Sequence, residues 1–187
     1  KHGHISMTPG DVARFLHQNG ERLDKTVIGD YLGKEAQYLN GFCVKVLHEY
    51  VEQADFAGLQ FDDAIRHFLA GFRLPGEAQK IDRMMEVFAA KFCSQNRSVF
   101  PSADTAFVLA FSIIMLNTDL HNPSIKEDRK MTKPGFLSNN RGIADGKALP
   151  KVYLEAIYDR IKASAFSLKE DDNLREDVSK QSRRRRR

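Results

Sequence analysis

The chain has 187 residues, 42% hydrophobic and 29% charged, a composition typical of one folded domain and not of a disordered segment. Its net charge of +4 depends on five C-terminal arginines, Arg183–Arg187; without them the balance is −1, which argues against a nucleic-acid-binding domain. The two cysteines form no cluster, so neither a disulfide framework nor a zinc site is indicated. No signal peptide opens the chain and it does not begin with Met, so we expect a cytoplasmic piece of something larger.

The first two predicted helices are short. A Thr-Pro-Gly-Asp segment at Thr8 predicts a helix start, with Thr8 as the N-cap and proline in the first turn, and Gly20 is expected to end this helix. A second helix is predicted over residues 25–32, ending at Gly33.

Three stronger amphipathic patterns follow. Apolar residues at i, i+3, i+4 and i+7 predict a helix over residues 39–51 and another over residues 61–72. The Pro75-Gly76 pair breaks the second pattern, and a new helix is predicted from Ala78 to near Asn96.

The chain then becomes strongly apolar. The run over residues 106–116 is 11 residues long, short of the ~20 that a membrane span needs, and predicts a buried central helix opened by Ser102. A short helix from Thr132 and a last amphipathic helix from Pro150 complete the pattern. No alternating run long enough for a strand is found, so the predicted fold class is all-α, with more helices than a four-helix bundle.

Common catalytic motifs are missing. The six histidines include no i, i+4 pair on one helix, and the sequence holds no GxSxG, P-loop or GxGxxG motif. Hydrolases and nucleotide-binding enzymes of the common kinds are therefore disfavoured. The Asp62-Asp63 pair is interpreted as acids in the first turn of a helix, where they complement the helix dipole.

Two segments carry polar residues that could be functional. Glu77 stands at the mouth of the helix after the Leu-Pro-Gly break; on physics alone a helix-capping acid, worth roughly 0.3–1 kcal/mol, is the better interpretation. The central helix runs from Phe111 into Asn117, Asp119, His121 and Asn122, which could line a groove or simply cap a buried helix.

These segments belong to two longer motifs. Residues 72–83 (FRLPGEAQKIDR) and 115–123 (MLNTDLHNP) closely resemble the two signature segments of the Sec-seven domain, the exchange domain of Arf guanine-nucleotide exchange factors. Further support comes from residues 23–25 (LDK), 28–33 (IGDYLG), 102–105 (SADT) and 140–143 (NRGI). The resemblance runs from about Thr8 to Leu168, and the chain is similar to both the large Golgi members and the bacterial effector members of the family.

The resemblance implies a fold and a set of site residues. The fold would be an elongated right-handed array of about ten α-helices, here with the first helix truncated, since only seven residues precede Thr8. Glu77 would be the "glutamic finger" that expels GDP, and a groove would accept the switch regions of an Arf-type GTPase. The implied partner-binding residues are Leu74, Pro75, Gly76, Asp104, Phe111, Ile114, Met115, Asp119, Asn122 and Met131.

The implied function is nucleotide exchange without covalent chemistry. The domain would therefore need no metal or cofactor of its own and would act on the GDP and magnesium bound to the partner. We expect an exchange domain over residues 1–170 and a loose charged segment over residues 171–187, whose arginine tail could meet anionic membranes. We expect recruitment to Golgi or endosomal membranes, or delivery to the host cytosol if the protein is a bacterial effector.

Ser112, Asp119 and Met131 match the pattern of brefeldin-sensitive members, whereas Phe111 stands where a tyrosine is usual. The alternative is a non-catalytic helical scaffold that binds an amphipathic partner in the same groove.

Overall fold

The protein is all-helical in the computed structural model, which describes residues 8–166. This range contains no strand, and the predicted fold class is confirmed. Eight α-helices are present in it: α1 (Pro9–Asn19), α2 (Lys25–Leu32), α3 (Phe42–Glu52), α4 (Phe61–Leu69), α5 (Ala78–Gln95), α6 (Ala103–His121), α7 (Lys133–Asn139) and α8 (Lys151–Ala163). Three short 3₁₀ helices cover Gly20–Arg22, Tyr38–Gly41 and Glu127–Arg129. The predicted domain boundary at residue 170 and the arginine tail lie outside the described residues.

Side-chain caps fix three of the predicted helix starts. The Thr8 hydroxyl accepts a hydrogen bond from the Asp11 backbone N–H at 3.3 Å, as an N-cap should. Ser102 caps α6 in the same way, and Thr132 caps α7. Capping signals in the sequence therefore placed these three starts correctly.

Two predicted helices are shorter than their apolar patterns suggested. The helix predicted from Leu39 begins at Phe42, because Leu39, Asn40 and Gly41 all adopt positive φ angles of 46°, 52° and 77°. A run of left-handed residues cannot belong to a right-handed helix. Phe72 likewise lies beyond the end of α4, yet its ring is fully buried, so its apolar character reflects the core and not a helix face.

Aromatic rings form the centre of the core. Edge-to-face pairs join Phe61 to Phe92 at 4.9 Å and Phe68 to Phe72 at 5.0 Å between ring centroids. Such geometry is preferred because the positive edge of one ring meets the negative face of the other. The rings that share this cluster are Phe56, Phe61, Phe68, Phe72, Phe88, Phe92 and Phe100.

The central helix α6 is longer than the apolar run that predicted it. It has 19 residues and, by length and composition alone, could cross a membrane. The length of the 11-residue apolar run therefore does not by itself exclude a membrane span. Its packing is what identifies it as a core helix: it contacts α4, α5, α7 and α8, and nine of its residues are buried. The opposite side of α6 is not covered by these helices and remains available for other contacts.

Candidate functional site

The connection between α4 and α5, here called the acidic loop (residues 73–77), turns apolar groups inward and a carboxylate outward. Leu74 is 4% exposed and Pro75 is buried. Gly76 and Glu77 are both exposed. Leu74 and Pro75, which sequence reasoning placed at a partner interface, are therefore anchors of this loop. The groups that can meet a partner here are Gly76 and Glu77.

Glu77 occupies the N-cap position of α5 through its backbone but not through its side chain. Its carbonyl oxygen accepts hydrogen bonds from the Lys80 and Ile81 N–H groups at 3.0 and 3.1 Å. Its carboxylate caps no N–H of α5 and lies instead 2.6 Å from Lys80 Nζ. The Glu77 side chain is 67% exposed, whereas that of Lys80 is only 15% exposed. Helix capping therefore explains the path of the backbone at Glu77, but the Glu77 carboxylate has no capping role.

Helix α2 supports the acidic loop from behind. The Arg73 N–H donates to the Lys25 carbonyl at 3.0 Å, and Arg83 Nη2 donates to the Gly33 carbonyl at the other end of α2, also at 3.0 Å. These two bonds bracket the loop, since Arg73 precedes it and Arg83 lies in α5 after it. The position of the Glu77 backbone thus depends on α2.

The uncovered face of α6 carries three apolar residues in a row, preceded by one acid. Asp104, Val108, Phe111 and Met115, here called the α6 stripe, recur at intervals of four, three and four residues and so share one helix face. Met115 is 63% exposed and Val108 43%, and Phe111 is half-buried. Exposed apolar side chains in a row mark a surface suited to a partner.

The sequence analysis did not name Val108, which is exposed, and named Ile114, which is buried. Val108 lies four residues after Asp104 and three before Phe111, and these spacings place the three residues on one helix face. Ile114, predicted to contact a partner, is 8% exposed and belongs to the hydrophobic core. It supports the α6 stripe from within the core and offers little surface of its own.

The polar end of the second signature is held in place by neighbouring elements. Asp119 accepts a hydrogen bond from the Met131 N–H at 2.5 Å, and the Tyr158 hydroxyl donates to the Met131 carbonyl at 2.8 Å. These bonds bring Asp119 and Met131 together across the intervening loop. Asn122 accepts from the Ser124 N–H at 2.8 Å and starts that loop with an Asx turn.

Two polar residues of this signature face the protein interior. The Asn117 amide is buried and makes two hydrogen bonds with the backbone of Phe166, at 3.1 and 3.0 Å. His121 Nε2 lies 2.7 Å from the Ile161 carbonyl oxygen of α8. Both side chains tie α6 to α8 and the residues after it, and neither contributes to the α6 stripe.

Ser112 and two clefts lie near the residues described above. Asn140 Nδ2 donates to the Ser112 hydroxyl at 2.8 Å, which joins α6 to the end of α7. A cleft of about 410 Å³ lies between α7 and α8, and another of about 430 Å³ is lined by the α2–α3 connection and Lys80. Within residues 8–166, no three His, Cys, Asp or Glu side chains are placed to hold a metal ion together.

Comparison with protein families gives a match over most of the chain. The model of the Sec7 domain family matches residues 1–166. The chain is 53% identical over 167 residues to "Brefeldin A-inhibited guanine nucleotide-exchange protein 3" of Arabidopsis thaliana, and 53% identical over 174 residues to "Brefeldin A-inhibited guanine nucleotide-exchange protein 1" of Homo sapiens. These matches cover 89% and 92% of the chain but 9% of each relative, so the chain corresponds to a small part of those proteins.

Solved structures agree with the helical fold. The Sec7p catalytic domain superposes with a TM-score of 0.79 at 44% identity, covering 86% of this chain and 81% of the other. The structure described as "ARF1-GDP bound to Sec7 domain complexed with Brefeldin A" also gives 0.79, at 42% identity, with 89% and 80% covered. The N-terminal Sec7 domain of RalF gives 0.74 at 43% identity, with 86% and 77% covered. Sequence and fold together establish that the chain belongs to the Sec7 domain family.

Proposed function

We propose that this chain is a guanine-nucleotide exchange domain that accelerates GDP release from an Arf-type GTPase, with Glu77 as the group that acts on the nucleotide site. The observation that carries the proposal is the exposed Glu77 carboxylate, presented by the buried Leu74 and Pro75 and free of any capping bond to α5. The names of the relatives, which describe guanine nucleotide-exchange proteins, support the same activity. A solved Sec7 domain bound to ARF1-GDP supports the class of partner.

The mechanism follows from electrostatics. A GTPase holds its nucleotide through its P-loop backbone, a lysine and a magnesium ion, all directed at the β-phosphate. The Glu77 carboxylate, inserted there, repels the phosphate and competes for the lysine and the metal. Two like charges ~4 Å apart at an effective dielectric constant of ~20 cost about 4 kcal/mol. Since each 1.36 kcal/mol is tenfold in rate, such a carboxylate would speed dissociation by about three orders of magnitude.

The ion pair with Lys80 is compatible with this role. The Glu77 carboxylate must leave Lys80 Nζ before it approaches a phosphate, and exposed ion pairs are worth only about 0–1 kcal/mol. That cost is small beside the ~4 kcal/mol of repulsion at the nucleotide site. The carboxylate is therefore available for insertion.

The α6 stripe supplies the binding surface. Burying Val108, Phe111 and Met115 against displaced switch regions would offset the nucleotide contacts that the GTPase loses. Exposed Asp104 at one end of the stripe can pair with a cation of the partner. No bond is made or broken, and the domain needs no cofactor of its own, since it acts on the GDP and magnesium held by the GTPase.

Location and inhibition follow as further parts of the proposal. An exchange domain of this class would work in the cytoplasm, recruited to Golgi or endosomal membranes, and Arg183–Arg187 would favour anionic lipid. A brefeldin-type inhibitor would bind between the domain and the GTPase, beside Ser112, Asp119 and Met131. The names of the relatives, which describe brefeldin A-inhibited proteins, favour this, and Phe111 is the residue that departs from the usual tyrosine.

The test is release of fluorescent GDP from a purified Arf-type GTPase. Glu77→Lys would replace repulsion with attraction, so we expect a folded protein whose exchange falls by orders of magnitude while it still binds the GDP-loaded GTPase. Asp82→Lys is the matched control, because Asp82 is an exposed acid of the same helix outside the acidic loop. If Glu77→Lys exchanged nucleotide at the parental rate, the proposed role of Glu77 would be wrong and the scaffold alternative would be favoured.

A further inference from the structure

We infer that α2 positions the exchange-promoting carboxylate through two glycines, Gly29 and Gly33, which form a flat seat for the acidic loop. The inference rests on the proposed function of Glu77. The two residues are four positions apart, so they share one face of α2. That face is turned toward the backbone of Arg73, toward Pro75 and toward Lys80.

Gly29 allows the closest approach. A Cβ atom at this position would lie 1.8 Å from the Arg73 carbonyl oxygen and 2.9 Å from its carbonyl carbon. Backbone atoms cannot move aside as a side-chain tip can, so any side chain at Gly29 would displace the start of the acidic loop. The hydrogen bond from the Arg73 N–H to the Lys25 carbonyl holds the two segments at this separation.

Gly33 allows a second, softer contact one turn later. A Cβ atom there would lie 3.2 Å from Pro75 Cγ and 3.2 Å from Lys80 Cδ. The φ angle of Gly33 is −82°, which any residue can adopt, so its backbone conformation does not require glycine. Glycine in the body of α2, at position 29, also weakens the helix relative to alanine. Space for the acidic loop, and not backbone freedom, explains both residues.

These contacts determine where the Glu77 carboxylate stands. Arg73 and Pro75 lead the chain into Glu77, and Lys80, whose side chain is 15% exposed, places its Nζ 2.6 Å from the Glu77 carboxylate. The seat touches all three, so it sets the base of the acidic loop and the place of its ion-pair partner together. A misplacement of about 1 Å can cost as much as 100-fold in rate. Gly29 and Gly33 are thus positioning residues that act through Glu77.

The experiment compares Gly33→Ala and Gly29→Ala with the parent domain and with Gly10→Ala. Gly10 lies in α1, and a Cβ atom there would meet only the tip of Glu49 at 3.4 Å, so this variant controls for adding a methyl group to a helical glycine. Exchange is measured with fluorescent GDP on an Arf-type GTPase over a range of GTPase concentrations, together with the melting temperature of each variant.

We expect Gly33→Ala to lower kcat about tenfold with KM for the GTPase changed less than twofold, because the α6 stripe is untouched. Gly29→Ala should lower kcat about 100-fold if it folds; if it does not fold, Gly33→Ala decides alone. Gly10→Ala should behave as the parent.

The inference would be overturned by a folded Gly33→Ala with parental kcat, or by kcat and KM changing together in proportion to a loss of folded protein. Failure of the proposed function looks different. In that case the parent domain and Gly10→Ala would themselves release no GDP, and Glu77→Gln would be indistinguishable from the parent.

Discussion

Arg160 of α8 donates two hydrogen bonds to Asp62, a fully buried side chain in the first turn of α4. The Nε–Oδ2 and Nη2–Oδ1 distances are 2.8 and 2.6 Å. The sequence analysis correctly placed Asp62 at a helix start but did not predict its partner, which lies 98 residues away. Neighbouring Arg66 donates to the Ser164 carbonyl, so α4 is joined to the end of α8 at two points.

This ion pair predicts an asymmetric response to mutation. Arg160→Leu leaves the Asp62 carboxylate buried without its counter-charge and should cost about 3–5 kcal/mol of unfolding free energy. Asp62→Asn should cost clearly less, because the Arg160 side chain is 37% exposed and can turn toward water. Urea unfolding of both variants measures the difference. An equal or reversed order of the two losses would contradict the assignment of Asp62 as the desolvated member.

Met115 predicts a separation of binding from stability. The side chain is 63% exposed, so Met115→Ala should change the unfolding free energy by less than about 0.5 kcal/mol while raising KM for the GTPase. The matched control is Met85→Ala, since Met85 is fully buried and should lose about 2–5 kcal/mol. Melting curves and exchange assays on both variants give the answer. A large drop in melting temperature for Met115→Ala, with exchange intact, would remove Met115 from the α6 stripe.

Tyr50 predicts how stability responds to alkaline pH. Burial raises the pKa of Tyr50 to about 12, whereas a tyrosine of an unfolded chain titrates near ~10. Between these values the unfolded chain has released the proton and the folded protein has not, so stability should fall as the pH rises from about 10 to 12. The contribution of this one group amounts to at most roughly 3 kcal/mol.

Tyr50→Phe should therefore be less sensitive to alkali than the parent, which denaturant titrations at pH 9 and pH 11 would show. An unchanged slope for Tyr50→Phe would mean that the Tyr50 hydroxyl ionises without opening the fold.

The arginine tail predicts a lipid effect that leaves exchange in solution unchanged. Each basic residue near an anionic surface is worth about 1 kcal/mol, so removing Arg183–Arg187 should markedly weaken binding to vesicles that contain phosphatidylserine. Neutral vesicles serve as the control, and GDP release without membranes should stay at the parental rate. Equal vesicle binding with and without the five arginines would show that the tail has no role at membranes.

Local signals in the sequence predicted much of the fold. Thr8, Ser102 and Thr132 cap helices as expected, because a capping hydroxyl and the N–H that it accepts from are only a few residues apart. Leu39 was misassigned to a helix, since its apolar side chain fitted the helical spacing while its backbone is left-handed. Hydrophobic periodicity reports side-chain character and carries no information about φ.

The candidate site was predictable only in part. The resemblance of the signature segments to a known family singled out Glu77 and Met115, which the structure does place at the surface. From the sequence, Asn117 and His121 could line a groove or belong to the polar end of a buried helix; in the structure their partners are backbone carbonyl and N–H groups of residues 161–166. A polar residue after an apolar run can face solvent or a distant backbone, and only the tertiary fold distinguishes the two.

The Asn117 amide also has a kinetic consequence. It accepts a hydrogen bond from the Phe166 N–H and donates one to the Phe166 carbonyl, so both backbone groups of this residue are paired as they would be beside a β-strand. The Phe166 amide proton can therefore exchange with solvent deuterium only when this contact opens. Phe166 is also 5% exposed and its ring lies beneath the Arg66 guanidinium, so that opening must expose apolar surface as well. The Phe166 amide should consequently be protected from exchange, which hydrogen–deuterium exchange of the domain would measure.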